Sequence, residues 1–181
     1  NNEWLKSNQI IGKSSEIKNI KNICLKVSKS NSRILISGPS GSGKETCARF
    51  IHSISNRMNH PFVVAACASL SNQMVDQLLF GFNDSKNKKD TKSLFEQANN
   101  GTIYFNEICD LPIDTQAKLI NVIQDQSFYK YGSNKKIKID IRVIAGTSYD
   151  PNEAVKNGIL REDLYYRLSV VPISIPSLNS R

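Results

Sequence analysis

A chain of 181 residues is long enough for one domain with a full core, or slightly more than one. With 39% hydrophobic and 22% charged residues it reads as a soluble globular protein, which excludes a disordered tract; the lack of an apolar run of about eighteen residues excludes a membrane span. The net charge of +8 would suit a polyanion, yet the lysines are scattered apart from 86–89 and 135–138, and no helix-turn-helix, zinc-finger or RNA-recognition pattern accompanies them, so a solvated basic face is expected.

The chain begins at Asn1 with no charged-then-apolar leader, which points to a fragment of a longer protein and not to a secreted precursor. Residues 1–9 read as a polar lead-in, and 10–181 as one α/β unit. From about Ser15 a helix is expected, because Ile20, Ile23, Cys24 and Val27 recur at helical spacing, and 28–32 form a polar break. The stretch 33–46, RILISGPSGSGKET, then orders an apolar strand (Ile34, Leu35, Ile36), a glycine-rich turn, and a helix opened by Lys44 with Cys47, Phe50, Ile51 and Ile54 on one side. Gly38, Gly43 and Lys44 meet the spacing GxxxxGK of a phosphate-binding loop. Glycines let successive N–H groups turn inward around phosphate oxygens, the helix start adds partial positive charge, and Lys44 adds a full one. The position after the lysine, usually Ser or Thr, is Glu45.

Cys24, Cys47, Cys67 and Cys109 form no CxxC pair and are expected to be small apolar fillers in a reducing cytoplasm, not zinc ligands. His52 and His60 flank the end of the loop helix and read as surface or capping residues. Beyond Pro61, residues 62–65 are a second strand, and Ser71 caps a helix carrying Met74, Val75, Leu78 and Leu79. Residues 81–93 break every pattern and read as a polar loop; a helical turn with Leu94, Phe95 and Ala98 ends at Asn99-Asn100-Gly101 before a third strand, 102–105. Asp114 is expected to cap a helix through about Gln124, and 128–140 alternates around Gly132-Ser133-Asn134 as a hairpin-like excursion. A fourth strand at 141–145, helices at 152–156 and 162–167, and a fifth strand at 170–173 complete an α/β pattern, which implies a parallel sheet covered on both faces with ligand at the carboxyl ends of its strands.

Taken in order, GPSGSGKE (38–45), LFG (79–81), FEQANNGTIYFNEI (95–108), QAKL (116–119), REDLYYRL (161–168) and VVPISIPSL (170–178) resemble the central AAA+ domain of sigma-54-dependent transcription activators of the NtrC class. SGPSGSGKE, the DQSF of 125–128 and SVVPISIPSL are most similar to the NtrX branch of that class, response regulators paired with an NtrY-like sensor kinase. The resemblance implies a P-loop NTPase fold, an AAA+ α/β subdomain with a five-stranded parallel sheet, whose small helical lid would follow Arg181. It implies ATP held by Ile11, Gly38, Pro39, Ser40, Gly41, Ser42, Gly43, Lys44, Glu45, Thr46 and Ser148. Glu107 would polarise the attacking water and, with Asn106, stand at Mg²⁺; Arg161 and Arg167 would reach a neighbouring subunit's γ-phosphate.

Several positions depart from the family pattern. The first Walker B acid is Asn106, which brings no negative charge to Mg²⁺. The Asn that grips the catalytic Glu is Ala66, the sensor Asn is Ser148, and the GAFTGA loop that engages sigma-54 is replaced by the lysine-rich stretch 82–93. The resemblance with these departures implies an ATP-binding, self-associating (ring or dimer) cytoplasmic regulator module with impaired hydrolysis and no membrane partner. DNA and the sensor kinase would be reached through other domains, and direct contact with sigma-54 is opposed by the missing loop. The alternatives are an active ring ATPase that remodels sigma-54 polymerase, and a scaffold that binds no nucleotide.

Overall fold

The computed structural model describes residues 15–84 and 89–177; the lead-in 1–9, Ile11 and residues 86–88 of the lysine cluster lie outside the described residues. Helix α1 (Ser15–Val27) buries Ile17, Ile20 and Cys24 along one stripe. Strand β1 (Ile34–Ser37) leads through the glycine loop into α2 (Lys44–Ser53), and β2 (Phe62–Ala65) follows. Helix α3 (Asn72–Phe80) starts where the Ser71 side chain accepts from the Met74 amide, as the sequence predicts.

The expected polar loop at 81–93 is corrected: β3 (Phe82–Asp84) pairs antiparallel with β4 (Lys89–Thr91). A ladder is built from backbone groups, so a run of polar residues does not forbid it. Phe82 stacks on Tyr131 at 6.5 Å, which ties this hairpin to the next one. Helix α4 (Leu94–Gln97) opens on a capping box between Ser93 and Glu96. Strand β5 (Thr102–Phe105) and a 3₁₀ turn (Ile108–Asp110) come next, then α5 (Ile113–Asp125). Pro112, not Asp114, stands at the N-cap of α5; Asp114 lies in the first turn, where its charge faces the positive helix end. The expected hairpin is present as β6 (Ser127–Tyr129) against β7 (Lys136–Lys138). Strand β8 (Arg142–Thr147), α6 (Pro151–Lys156), α7 (Glu162–Leu168) and β9 (Val171–Ser174) complete the described chain.

Five strands form one parallel sheet in the order β2-β5-β8-β1-β9. Alternation across each strand fills two cores: Ile34, Ile36, Tyr104 and Ile144 point to the side of α1 and α2, while Leu35, Ile103, Phe105, Val143 and Ala145 point to the side of α3, α5 and α7. Burial on both faces is what a parallel sheet between helices requires, and the arrangement is that of a P-loop NTPase. Gly101 opens β5 because a Cβ there would lie 1.9 Å from the Pro61 carbonyl oxygen.

One histidine expectation is overturned. His52 is buried, with Nδ1 2.8 Å from Thr102 Oγ1 and Nε2 2.9 Å from the His60 carbonyl oxygen, so it joins the end of α2 to β5. Cys24, Cys47 and Cys67 are buried, and the first two face each other across α1 and α2 at 3.7 Å between sulfurs.

Candidate functional site

The loop between β1 and α2 is shaped by its glycines. Gly41 (φ 77°) and Gly43 (φ 96°) take left-handed conformations that side chains disfavour, and the Gly38 amide donates to the Thr147 carbonyl at 3.1 Å. A Cβ at Gly38 would lie 2.6 Å from the Ile175 carbonyl oxygen, so close passage of the backbone requires glycine there too. Gly43 is the N-cap of α2 and supplies no side-chain bond, which leaves the first N–H groups of the helix directed at the cleft.

Lys44 is only 9% exposed, and its Nζ donates to the carbonyls of Gly38 at 2.7 Å and Pro39 at 3.0 Å. Burial pushes its pKa down, and the charge of Glu107 partly restores it. Glu45 points outward to Arg49 at 3.3 Å. The cleft, of about 620 Å³, is lined on this side by Ser40, Gly41, Gly43, Lys44, Glu45 and Thr46.

Asn106, Glu107, Asp110, Ser148 and Tyr149 line the opposite side, at the carboxyl ends of β5 and β8. Asn106 extends β5 by one residue, its backbone N–H donating a hydrogen bond to the Ala65 carbonyl at 3.1 Å. Glu107 caps the 3₁₀ turn: Oε2 accepts from the Cys109 amide at 3.0 Å, while Oε1 accepts from the Ser148 amide at 2.7 Å and from its hydroxyl at 2.9 Å. Asp110 and Tyr149 are cleft residues that the sequence reading missed. A 3₁₀ turn brings residue i+3 back over residue i, which is how Asp110 returns to the side of Glu107. Burial, then the charge of Glu107, raises the Asp110 pKa.

The two arginines are elsewhere in the same chain. Arg161, the N-cap of α7, makes a two-pronged bond to Asp163 at 3.0 Å on each arm, and its amide donates to the buried Gln116 Oε1 at 2.8 Å. Gln116 Nε2 in turn donates to the carbonyls of Leu111 and Ile159, so this amide fastens Arg161 to α5. With Glu162, Asp163 and Tyr166, Arg161 lines a separate depression. The Arg167 carbonyl accepts from Arg33 Nε at 2.6 Å, and its guanidinium meets the Gln124 amide oxygen. Neither arginine lines the phosphate-loop cleft.

The loop therefore fits a polyphosphate: backbone donors, a helix start and a cation converge on one hollow. A divalent ion is served less well. Asn106 is a neutral amide, both Glu107 oxygens already accept hydrogen bonds, and among the described residues no group of three or more His, Cys, Asp and Glu could hold a metal. No helix among the described residues is long and apolar enough to cross a membrane.

Comparison with known proteins agrees with this geometry. The family described as the Sigma-54 interaction domain matches residues 10–174. The nitrogen assimilation regulatory protein NtrX of Azorhizobium caulinodans is 41% identical over 172 residues, covering 95% of this chain and 38% of that protein. Crystal structures of NtrX from Brucella abortus are 37% identical over 93% of this chain: the ADP complex superposes with a TM-score of 0.86 over 38% of that chain, and the ATP complex with 0.85 over 39%. The chain thus spans under two fifths of these relatives. Its phosphate loop, parallel sheet and matched length identify it as a member of the sigma-54 interaction domain family, similar to the NtrX response regulators.

Proposed function

We propose that residues 10–181 are the ATP-binding and self-associating AAA+ part of an NtrX-like cytoplasmic transcription regulator, and that this part hydrolyses ATP poorly. The observation that carries the binding is Lys44, folded onto a loop whose glycines leave donors open to phosphate. The ADP and ATP complexes of the Brucella relative support the choice of ligand. Ile11 and Ser148 would complete the surroundings of the nucleotide. Poor hydrolysis is favoured by Asn106, which weakens any hold on Mg²⁺, and by the hydrogen bonds that occupy Glu107.

Self-association follows from the arginines. Arg161 and Arg167 lie outside their own chain's cleft, so they would meet a γ-phosphate only across a subunit boundary. An upstream receiver would accept the signal of an NtrY-like kinase and a downstream domain would bind DNA. The short stretch 82–93 argues against direct contact with sigma-54. A second reading, a ring ATPase that turns over, is favoured by one feature: Glu107 lies in the cleft with Lys44.

Calorimetric titration of Mg-ATP into the protein and its Lys44→Ala variant tests the binding. Loss of the buried cation should weaken affinity about a hundredfold. Equal titrations, or none in either protein, refute the nucleotide site and leave a scaffold.

A further inference from the structure

Three donors converge on one carboxylate. Glu107 Oε1 takes the Ser148 amide and hydroxyl, and Oε2 takes the Cys109 amide. A carboxylate offers about four lone-pair sites, so three are engaged and one is left. The donors are themselves held. Cys109 belongs to the 3₁₀ turn, and Ser148 follows Thr147, whose carbonyl accepts the Gly38 amide of the phosphate loop and whose hydroxyl accepts from the Tyr149 amide at 3.1 Å. Ala66, beyond the end of β2, has only a methyl group and makes no such bond.

We infer that Ser148 is a positioning residue that holds Glu107 back from the reacting water, so that the restraint on this carboxylate is applied from the end of β8. The inference rests on the nucleotide site proposed above. In hydrolysis, the water oxygen bonds to the γ-phosphorus and the bond from that phosphorus to the β–γ bridging oxygen breaks. Its electron pair leaves on ADP, and the water proton passes to a carboxylate lone pair. Ser148 ties Oε1 through two donors at once, so both lone-pair sites of that oxygen are taken and neither is open to the water's proton. Removing the hydroxyl leaves the Ser148 amide in place and frees one lone pair.

Ser148 is exposed, so substitution there leaves the core intact. Two measurements on the full chain test the inference. The first needs no nucleotide: the ¹⁵N–¹H resonances of Ser148 and Cys109 should both move upfield in Glu107→Ala, as amides do on losing a carboxylate acceptor. Unmoved resonances overturn the contact. The second compares single-turnover ATP hydrolysis and Mg-ATP affinity in wild type, Ser148→Ala and Ser148→Thr. At saturating Mg-ATP, Ser148→Ala should react at least about fivefold faster than wild type, and Ser148→Thr, which keeps the hydroxyl, should restore the wild-type rate. An Ala variant that is unchanged, slower or inactive while still binding Mg-ATP overturns the restraint. If wild type binds no Mg-ATP, the nucleotide site fails first and the restraint falls with it, while the amide resonances still report whether the contact exists.

Discussion

Arg142→Met is the substitution that should disturb the scaffold of the site most with the least change of shape. Arg142 begins β8, the central strand of the sheet, and is 1% exposed. Its guanidinium meets the carbonyls of Val27 at 2.7 Å and Ser28 at 3.1 Å, where α1 ends, and of Ser32 at 3.3 Å in the segment that follows. No carboxylate is among these partners; the positive charge lies against the negative end of the helix. Burial, then the charge of Arg57, brings its pKa down to about 10, so it stays charged at neutral pH. Methionine fills similar volume but donates nothing. Val27 keeps the Ser30 amide and hydroxyl as partners, whereas the Ser28 and Ser32 carbonyls lose the guanidinium. Two stranded acceptors, less the gain from an apolar side chain, amount to about 2–4 kcal/mol. For a domain of this size that lowers Tm by roughly 10 °C. Urea unfolding and thermal melts should be read beside Arg49→Met, which removes the exposed Arg49–Glu45 pair and the guanidinium's place over the Phe62 ring at 4.8 Å and should cost about 1 kcal/mol. An Arg142→Met loss no larger than that of Arg49→Met would show that the α1 carbonyls find other partners, and would refute the reasoning.

Two titrating groups give pH signatures of opposite sign. Burial, and after it the charges of Arg142 and Arg57, hold the His52 pKa below 6.5 against the pull of the His60 carbonyl, so the unfolded chain takes up the proton first; stability is full above 6.5 and declines as pH falls through the native pKa. Thermal melts between pH 7.5 and pH 5 should show this decline and should flatten in His52→Phe, and equal slopes would contradict it. Asp110, raised above 3.8, has the reverse sign: the native state holds the proton more tightly, and stability falls as pH rises through the native pKa. Asp110→Asn should therefore melt slightly higher than wild type at pH 7 and lose that advantage below pH 3.8, whereas an advantage independent of pH would point to a packing effect.

The phosphate loop was legible because its information is local: glycine spacing, a preceding apolar run and a following lysine all lie within 33–46. The five sheet strands were legible for the same reason, each being a short apolar run placed within a residue or two of where the structure has it. What escaped depends on chain segments far apart in sequence. Arg142 falls within the expected strand 141–145, and only the packing of α1 shows the carbonyls it serves. His52 is buried by β5, fifty residues on. The β3–β4 ladder is a matter of backbone pairing in a polar stretch. Asp110 needed the turn geometry, although its place three residues past Glu107 was visible. The capping box at Ser93 was also visible, since Glu96 follows it at the required spacing.

The cleft also suggests why Asn106 is tolerable where the family has an acid. Glu107 and Asp110 already share one side of the hollow, where burial first and repulsion from the charge of Glu107 second raise the pKa of Asp110. A third carboxylate at position 106 would add to that repulsion whenever no cation is present, and Lys44 is directed to the carbonyls of its own loop. The neutral amide removes the repulsion together with the charge that would draw a metal. Phosphate recognition as proposed would not depend on that charge, because it would come from backbone amides, a helix start and Lys44 across the cleft. Under the proposed function, binding and turnover would therefore rest on opposite walls of one hollow, so the wall with Asn106 and Glu107 could lose charge while the wall of the phosphate loop keeps its shape.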